Sequence, residues 1–259
     1  MLGLGVPDVE PMLWTLIFVM VRVGAAFTAA PVFGAVGVPV QVRIILAGAI
    51  AVLVLNAAQV QPPTVIFSLT TMLAVVQEAL VGLALGFVVQ IAFAAPLLAG
   101  EAISGSMGLN FAATVDPMSG AGTQAIGQFL SIIMILLFLA IDGHLVLTDL
   151  VVRSYQVLPP GQGWLSPNVV KNIATFGGYA FLAGFLLALP VGFTLLCLNL
   201  VVGMMSRSAP SLNLFAVGLP ASLVVGIVTV AVAFPAMGEF MGGVVREGLN
   251  AAARLVFGG

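Results

Sequence analysis

The residues of this sequence that could do acid–base or ion-binding chemistry are few, and they lie inside or beside long apolar runs. A charge at the centre of a bilayer costs about 3 kcal/mol on insertion scales, so each of them needs a partner. They could form a proton or ion pathway, or they could pair helices or subunits with one another. No apolar run carries a dense relay of carboxylates, which favours pairing. The set consists of Arg22, Glu78, Glu101, Asp116, Asp142, His144, Asp149 and Glu239.

The order of these residues matches no common catalytic or metal-binding motif. His144 is the only histidine, and Asp142 would lie about 200° from it around a helix. The sequence lacks H-E-x-x-H, a Cys/His cluster and the phosphate-binding G-x-x-x-x-G-K-[ST]. A nucleophile elbow requires a glycine two residues before the serine and a strand that leads into it. Ser106 has neither of these in the sequence. We therefore predict a protein that is not an enzyme and has no cofactor, with an intramembrane hydrolase built on Ser106 and His144 as an alternative.

The composition indicates a membrane protein. Hydrophobic residues make up 61% of the 259 residues, and charged residues only 6%. A soluble domain is about a quarter charged, so these few charges cannot cover a surface in water. The net charge of −2 provides no basic face for nucleic acid. The single cysteine, Cys197, excludes a disulfide within the chain.

Hydropathy divides the chain into about six apolar segments separated by Pro- and Gly-containing breaks. All of them should be helical, because lipid offers no partner to an unpaired backbone group. The segments cover residues 12–33, 42–60, 64–99, 125–158, 173–206 and 211–245.

The last four segments are too long for one simple crossing of a bilayer. Each has about 34 residues, or roughly 50 Å of helix, whereas about 20 residues cross the hydrocarbon core. Prolines inside or near their ends should kink or break them, namely Pro96, Pro190, Pro220 and Pro235. The predicted fold is thus an all-α integral membrane protein, whose long, proline-broken apolar segments form bent hairpins.

Two pairs of glycines are spaced for close helix packing. Gly82 and Gly86 lie four residues apart, and so do Gly238 and Gly242. Because the chain contains 30 glycines, such pairs also arise by chance. We expect ordinary helix contacts at both.

The polar run 105–124, "GSMGLNFAATVDPMSGAGTQ", interrupts this apolar chain. Its glycines allow backbone conformations that other residues adopt only at a cost, and Pro117 cannot continue a helix. A loop of about 20 residues is uncommon unless it has a function. The run is either a moving functional segment or an ordinary exposed loop.

Several stretches together resemble the FliR family, the single-copy subunit of the flagellar type III protein export gate, whose injectisome relatives are called SctT. The resemblance covers residues 12 to 250, and Arg22 followed by Ala30-Pro31 belongs to it. Asp142 departs from it, since the family is expected to have Asn before Gly-His. The matching stretches are "GLALGFVVQIAFAAPLLAGE" (82–101), "SMGLNFAATVDP" (106–117), "LLFLAIDGHLVL" (136–147) and "LNLVVGMMSRSAPSLNLFAVGLP" (198–220).

This resemblance implies a bacterial inner-membrane protein of the flagellar basal body. One copy would assemble with FliP and FliQ into a helical pore through which unfolded flagellar proteins are exported. FlhB would be a further neighbour, and FlhA is allowed as another. Residues 1–259 would form one export-gate domain, with a FliP-like part at 12–172 and a FliQ-like hairpin at 173–250.

The resemblance also implies roles for particular residues. The run 105–124 would project into the pore and close it, and the loop 204–216 would contact FlhB. The plug residues would be Met107, Gly108, Leu109, Asn110, Phe111, Val115, Asp116, Pro117 and Met118, and the contact residues Arg207, Pro210 and Asn213. The main alternative is a secondary transporter of a small solute or proton, in which Glu78, Glu101 and Asp142 act as carriers.

Overall fold

The computed structural model describes residues 9–57, 68–109, 125–160, 167–208 and 214–258, and these residues form eight helices and no strand. The helices are α1 (Val9–Ala29), α2 (Val40–Ala57), α3 (Leu69–Ala92), α4 (Ala95–Ser106), α5 (Ala125–Ala140), α6 (Gly143–Val157), α7 (Pro167–Ser208) and α8 (Leu214–Phe257).

The structure confirms the predicted class, an all-α membrane protein. The predicted number of six apolar segments is only approximate. Two predicted segments are each divided into two helices, because a turn separates α3 from α4 and another separates α5 from α6. Four stretches are long and apolar enough to cross a membrane, and the bent α5–α6 pair makes a fifth if it is one span. The four are Met12–Ala29, Leu69–Ser106, Pro167–Arg207 and Val217–Phe257.

The prolines act differently from one another. Pro96 lies in the first turn of α4, directly after the break, where its missing N–H costs nothing. In contrast, α7 continues through Pro190 for 42 residues, and α8 continues through Pro220 and Pro235 for 44 residues. Of these four prolines, only Pro96 therefore lies next to a break in a helix.

The bend between α5 and α6 depends on Asp142. The two helices meet at 64°, and Asp142 has a φ of 57° in the left-handed region. Aspartate and asparagine tolerate this conformation better than other residues with a side chain. Aspartate therefore meets the same backbone requirement as the asparagine expected from the resemblance.

The chain forms two compact units that alternate along the sequence. The first contains residues 1–90, 142–176 and 248–259, and the second contains residues 91–141 and 177–247. In the first, α1 packs along α2. In the second, α4 packs along α5, and Phe93 meets Phe138 edge to face with 5.6 Å between ring centroids. The predicted division near residue 172 stays a prediction.

Helices α7 and α8 contact each other as an antiparallel pair inside the second unit. Ser222 Oγ donates to Asn199 Oδ1 at 3.4 Å, and a Cβ at Gly218 would lie 3.5 Å from Val202 Cγ1. Residues later in α8 thus meet residues earlier in α7. The FliQ-like hairpin at 173–250 stays a prediction.

The glycines of α3 bring its backbone against the backbone of α1 in the first unit. A Cβ at Gly82 would overlap the carbonyl oxygen of Arg22, and one at Gly86 would overlap that of Ala26. No such approach occurs at Gly238, whose Cβ position has nothing within 4 Å in the described structure. Close packing is thus present at the first predicted glycine pair and absent at this position of the second.

We expect Gly82→Ala to destabilise the chain, because the added methyl group meets backbone that cannot rotate away. Gly238→Ala is the matched control, and it should be neutral or stabilising by up to about 1 kcal/mol through helix propensity. The measurement is the fraction of the chain in membrane vesicles that resists trypsin as temperature rises. Equal melting of both variants would contradict the packing described for α3.

Candidate functional site

The predicted plug begins at the end of α4, and the structure describes only its first three residues. Met107, Gly108 and Leu109 form the turn that follows the helix. Arg207 lies in the last turn of α7 and is exposed. The other predicted residues lie outside the described residues, namely Asn110, Phe111, Val115, Asp116, Pro117, Met118, Pro210 and Asn213.

Helix α4 ends in a hydrogen-bonded stop of the Schellman type. The amide of Leu109 donates to the carbonyl of Ser104 at 3.0 Å, and that of Gly108 donates to Gly105 at 3.0 Å. Gly108 has a φ of 78°, the left-handed conformation that this motif requires. A residue with a side chain would be strained there. The start of the run 105–124 is therefore fixed by its sequence.

Met107 is anchored immediately before this stop. Its side chain is only 2% exposed and lies against α8 at Gly226, within the second unit. A Cβ at Gly226 would come within 2.7 Å of Met107 Cγ and 3.1 Å of its Sδ. Glycine thus leaves the space that the methionine fills. The contact holds the base of the run on the same unit that contains α4, α5 and most of α8.

The first unit contains a fully buried charged cluster. Arg22 donates from Nε to Glu78 Oε2 and from Nη2 to Oε1, each at 2.8 Å. It also donates to Ser154 Oγ at 3.0 Å and to the carbonyl of Leu158 at 2.9 Å. The guanidinium carbon lies 4.1 Å from the ring centroid of Tyr155. One side chain of α1 thereby binds α3, the C-terminal half of α6 and the residue after it.

This cluster confirms the expectation that Arg22 and Glu78 need partners, and it gives Glu78 a structural task. Both carboxylate oxygens are held by Arg22, and the side chain of Glu78 is only 2% exposed. A carrier must exchange its ion with solvent, and a carboxylate in this state is poorly suited to that. The geometry therefore disfavours Glu78 as the carrier of a transporter.

Sequence reasoning missed the contributions of Ser154 and Tyr155. The Ser154 hydroxyl accepts from Arg22 and donates to the carbonyl of Val151 at 2.6 Å, and the Tyr155 hydroxyl donates to that of Val19 at 2.8 Å. The available signal was the rarity of tyrosine, of which the chain has two. Neighbouring polar residues at the end of an apolar segment mark positions that need hydrogen-bond partners.

The other candidate residues have less connected surroundings. Asp149 accepts from Arg153 one helical turn away, and both side chains are more than half exposed. Ser106 donates to the carbonyl of Ala102 at 2.8 Å, a local bond that gives no sign of activation as a nucleophile. His144 Nδ1 is buried without a hydrogen-bond partner in the described structure. Within the described ranges, no three His, Cys, Asp or Glu residues form a group that could hold a metal ion.

Removing one partner of the buried pair should be far more damaging than removing both. Glu78→Ala leaves the Arg22 charge without its counter-ion, at a cost of about 3–5 kcal/mol. The double variant Arg22→Met with Glu78→Leu should recover much of the loss, because two apolar residues need no partner. Arg153→Ala, which removes the exposed pair, should cost under about 1 kcal/mol. The measurement is the amount and trypsin resistance of each variant in membranes, and a double variant as unstable as Glu78→Ala would contradict this account.

The contact between Met107 and Gly226 can be tested by compensation. Gly226→Ala should weaken the anchoring of Met107, whereas Gly226→Ala combined with Met107→Ala should lose less than the sum of the single changes. Gly243→Ala is the control, since its Cβ position has nothing within 4 Å in the described structure. The readout is trypsin resistance in membranes, and strict additivity would show that the two residues are not coupled.

Comparison with known proteins gives the family. Residues 13–248 match the model described as bacterial export proteins, family 1. The flagellar biosynthetic protein FliR of Pectobacterium carotovorum subsp. carotovorum is 39% identical over 220 residues, which are 85% of this chain and 84% of that protein. FliR of Escherichia coli K12 is 36% identical over 92% of this chain and 90% of its own length. FliR of Bacillus subtilis 168 is 34% identical over 83% of this chain and 84% of its own length.

These matches extend from α1 to near the end of α8, on a chain whose helices are long and apolar enough to cross a membrane. The chain therefore belongs to family 1 of the bacterial export proteins, the FliR family.

Proposed function

We propose that this chain is a core pore subunit of the flagellar type III export gate in the bacterial inner membrane. The observation that carries the proposal is the family match over residues 13–248. Among the described residues, this range includes the four stretches that are long and apolar enough to cross a membrane, except for Met12 and the last nine residues of Val217–Phe257. In this proposal one copy of the chain assembles with FliP and FliQ around a channel for unfolded flagellar proteins. FlhB is the neighbour proposed for residues 204–216, in which Arg207 is an exposed cation in the last turn of α7.

The run 105–124, whose plug residues lie between Met107 and Met118, is proposed to close this channel. Two features of the described residues support a segment with a fixed base: the Schellman stop at Gly108 and the burial of Met107 against Gly226. Beyond that base the sequence contributes Leu109, Phe111 and Val115, which can seal an opening by contact and by excluding water.

The chain is proposed to work without catalysis and without a cofactor. Energy for export would come from other components, since the sequence contains no nucleotide-binding motif. The hydrolase alternative is weakened by the local hydrogen bond of Ser106 to Ala102. The transporter alternative is weakened by the bidentate pairing of Glu78 with Arg22.

We expect deletion of residues 109–120 to make the assembled gate leaky while leaving its assembly intact. The deletion starts after Met107 and Gly108, so the contact of Met107 with Gly226 and the left-handed glycine that ends α4 are kept. Cells that produce the variant with the other gate subunits should take up a small impermeant solute, whereas cells with the parent chain should not. Ser106→Ala, which changes only a local hydrogen bond, is the control and should stay tight.

Two controls decide what a negative result means. The tagged variant must still co-purify with FliP- and FliQ-like chains, which shows that the pore is assembled. A tight barrier in an assembled complex would contradict the plug. Isolation of the parent chain as a stable monomer that binds a small solute would contradict the gate itself.

A further inference from the structure

Helix α8 has an outward face that carries two charges of opposite sign. Glu239 and Arg246 are both exposed, and their spacing of seven residues places them on the same side of the helix. About 10 Å of helix separates them. The other side of α8 is buried at Met237, Met241 and Val244. The charged face therefore lies opposite the side on which α8 packs, and both charges belong to the second unit.

Neither charge is paired inside the described structure. Among its residues, Glu239 and Arg246 form no hydrogen bond and no ion pair. Arg246 bends back over Gly242, where its Nη2 lies 3.9 Å from the Cβ position, but it stops short of Glu239. Both charges lie in the apolar stretch Val217–Phe257, and unpaired charges are costly in a membrane. Each of them therefore needs a partner from elsewhere.

The rest of this chain offers Glu239 no lysine or arginine. All seven of these residues fall within the described ranges, and none of them pairs with Glu239. For Arg246, three carboxylates have side chains outside the described part of the structure, namely Asp8, Glu10 and Asp116. The partner of Glu239 must thus belong to another molecule, and a test must separate these three carboxylates from an outside partner of Arg246.

A second copy of this chain does not fit the face. Two copies inserted into a membrane in the same orientation have α8 helices that run in the same direction. A symmetric contact through this face would place Glu239 beside its own copy, and Arg246 likewise. Like charges at such a distance repel each other. The face therefore calls for a different molecule.

We propose that this face binds a membrane helix of a different protein, which carries a lysine or arginine opposite Glu239 and an aspartate or glutamate opposite Arg246. A lipid phosphate could pair with Arg246 but would repel Glu239, whereas a helix can present both charges two turns apart. Between the charges the face has no side chain at Gly243, whose Cβ position has nothing within 4 Å in the described structure, so a helix can approach closely. The proposal rests on the proposed function in one respect, because the partner is taken to be another membrane subunit of the export apparatus.

The test is photo-crosslinking in living cells from Ala236, an exposed residue one turn before Glu239. A benzophenone amino acid there should capture a protein, and the cross-linked peptide should be an apolar helix with a basic and an acidic residue about two turns apart. Reversing both charges, by Glu239→Arg with Arg246→Glu, keeps the net charge and should lower capture per chain at least fivefold.

The matched control reverses a pair that is already satisfied. Asp149→Arg with Arg153→Asp exchanges the exposed pair on α6 and should leave capture unchanged. The reversed α8 face should regain its capture when the basic and acidic residues of the captured helix are exchanged as well. Because capture is counted per chain, this rescue remains informative if the reversed chain is less abundant.

Four results would overturn the docking proposal. They are capture that does not respond to the reversal, capture of lipid alone, capture of a second copy of this chain, and a cross-link within the chain to a peptide that contains Asp8, Glu10 or Asp116. Flagellar export that continues in cells without the chain would instead overturn the proposed function and leave the captured helix in place, so the two failures are distinguishable.

Discussion

The first unit depends on one buried guanidinium in a chain that has very few charges. Burial of Arg22 and Glu78 carries a desolvation penalty, which is offset only if nearly all of their polar atoms form hydrogen bonds. The partner residues must therefore lie in one particular arrangement. Glu78 and Gly82 lie four residues apart on the same face of α3. Glu78 binds the side chain of Arg22. Gly82 has no side chain, which leaves room for the backbone carbonyl oxygen of Arg22. The ion pair and the close backbone approach are thus two parts of one contact, which sets the position of α3 along α1.

In the second unit, glycines allow the helices to pack closely against one another. Three of them accommodate α4 and the turn after it, each from a different helix: Gly127 of α5 meets Gly100, Gly184 of α7 meets Leu98, and Gly226 of α8 meets Met107. Apolar side chains and lipid tails are equally hydrophobic, so helices in a membrane gain mainly from close van der Waals contact. The placement of α4 by these contacts matters for function, because the proposed plug begins where this helix ends.

Sequence reasoning predicted what depends on local chemistry and missed what depends on distant partners. Apolar length gave the helical segments, and glycine at 108 gave the conformational freedom that the Schellman stop uses. The chain offered no local sign that Arg22 would select Glu78, 56 residues away, or that Met107 would meet Gly226. Prolines at 190, 220 and 235 were expected to kink or break helices, yet α7 and α8 continue through them. A proline removes one backbone hydrogen bond, which a long helix can tolerate where other groups satisfy the freed carbonyl.

The lengths of α7 and α8 bear on what must surround the chain. The apolar stretches Pro167–Arg207 and Val217–Phe257 each contain 41 residues. At 1.5 Å per residue each is roughly 60 Å long, about twice the hydrocarbon thickness of a bilayer. Only 22% and 11% of their most apolar windows are buried in the chain, and large side chains such as Phe181, Phe193 and Val232 are more than half exposed. Tilt cannot hide this excess in lipid, so part of the apolar surface needs protein neighbours, as a subunit of a larger export complex would have.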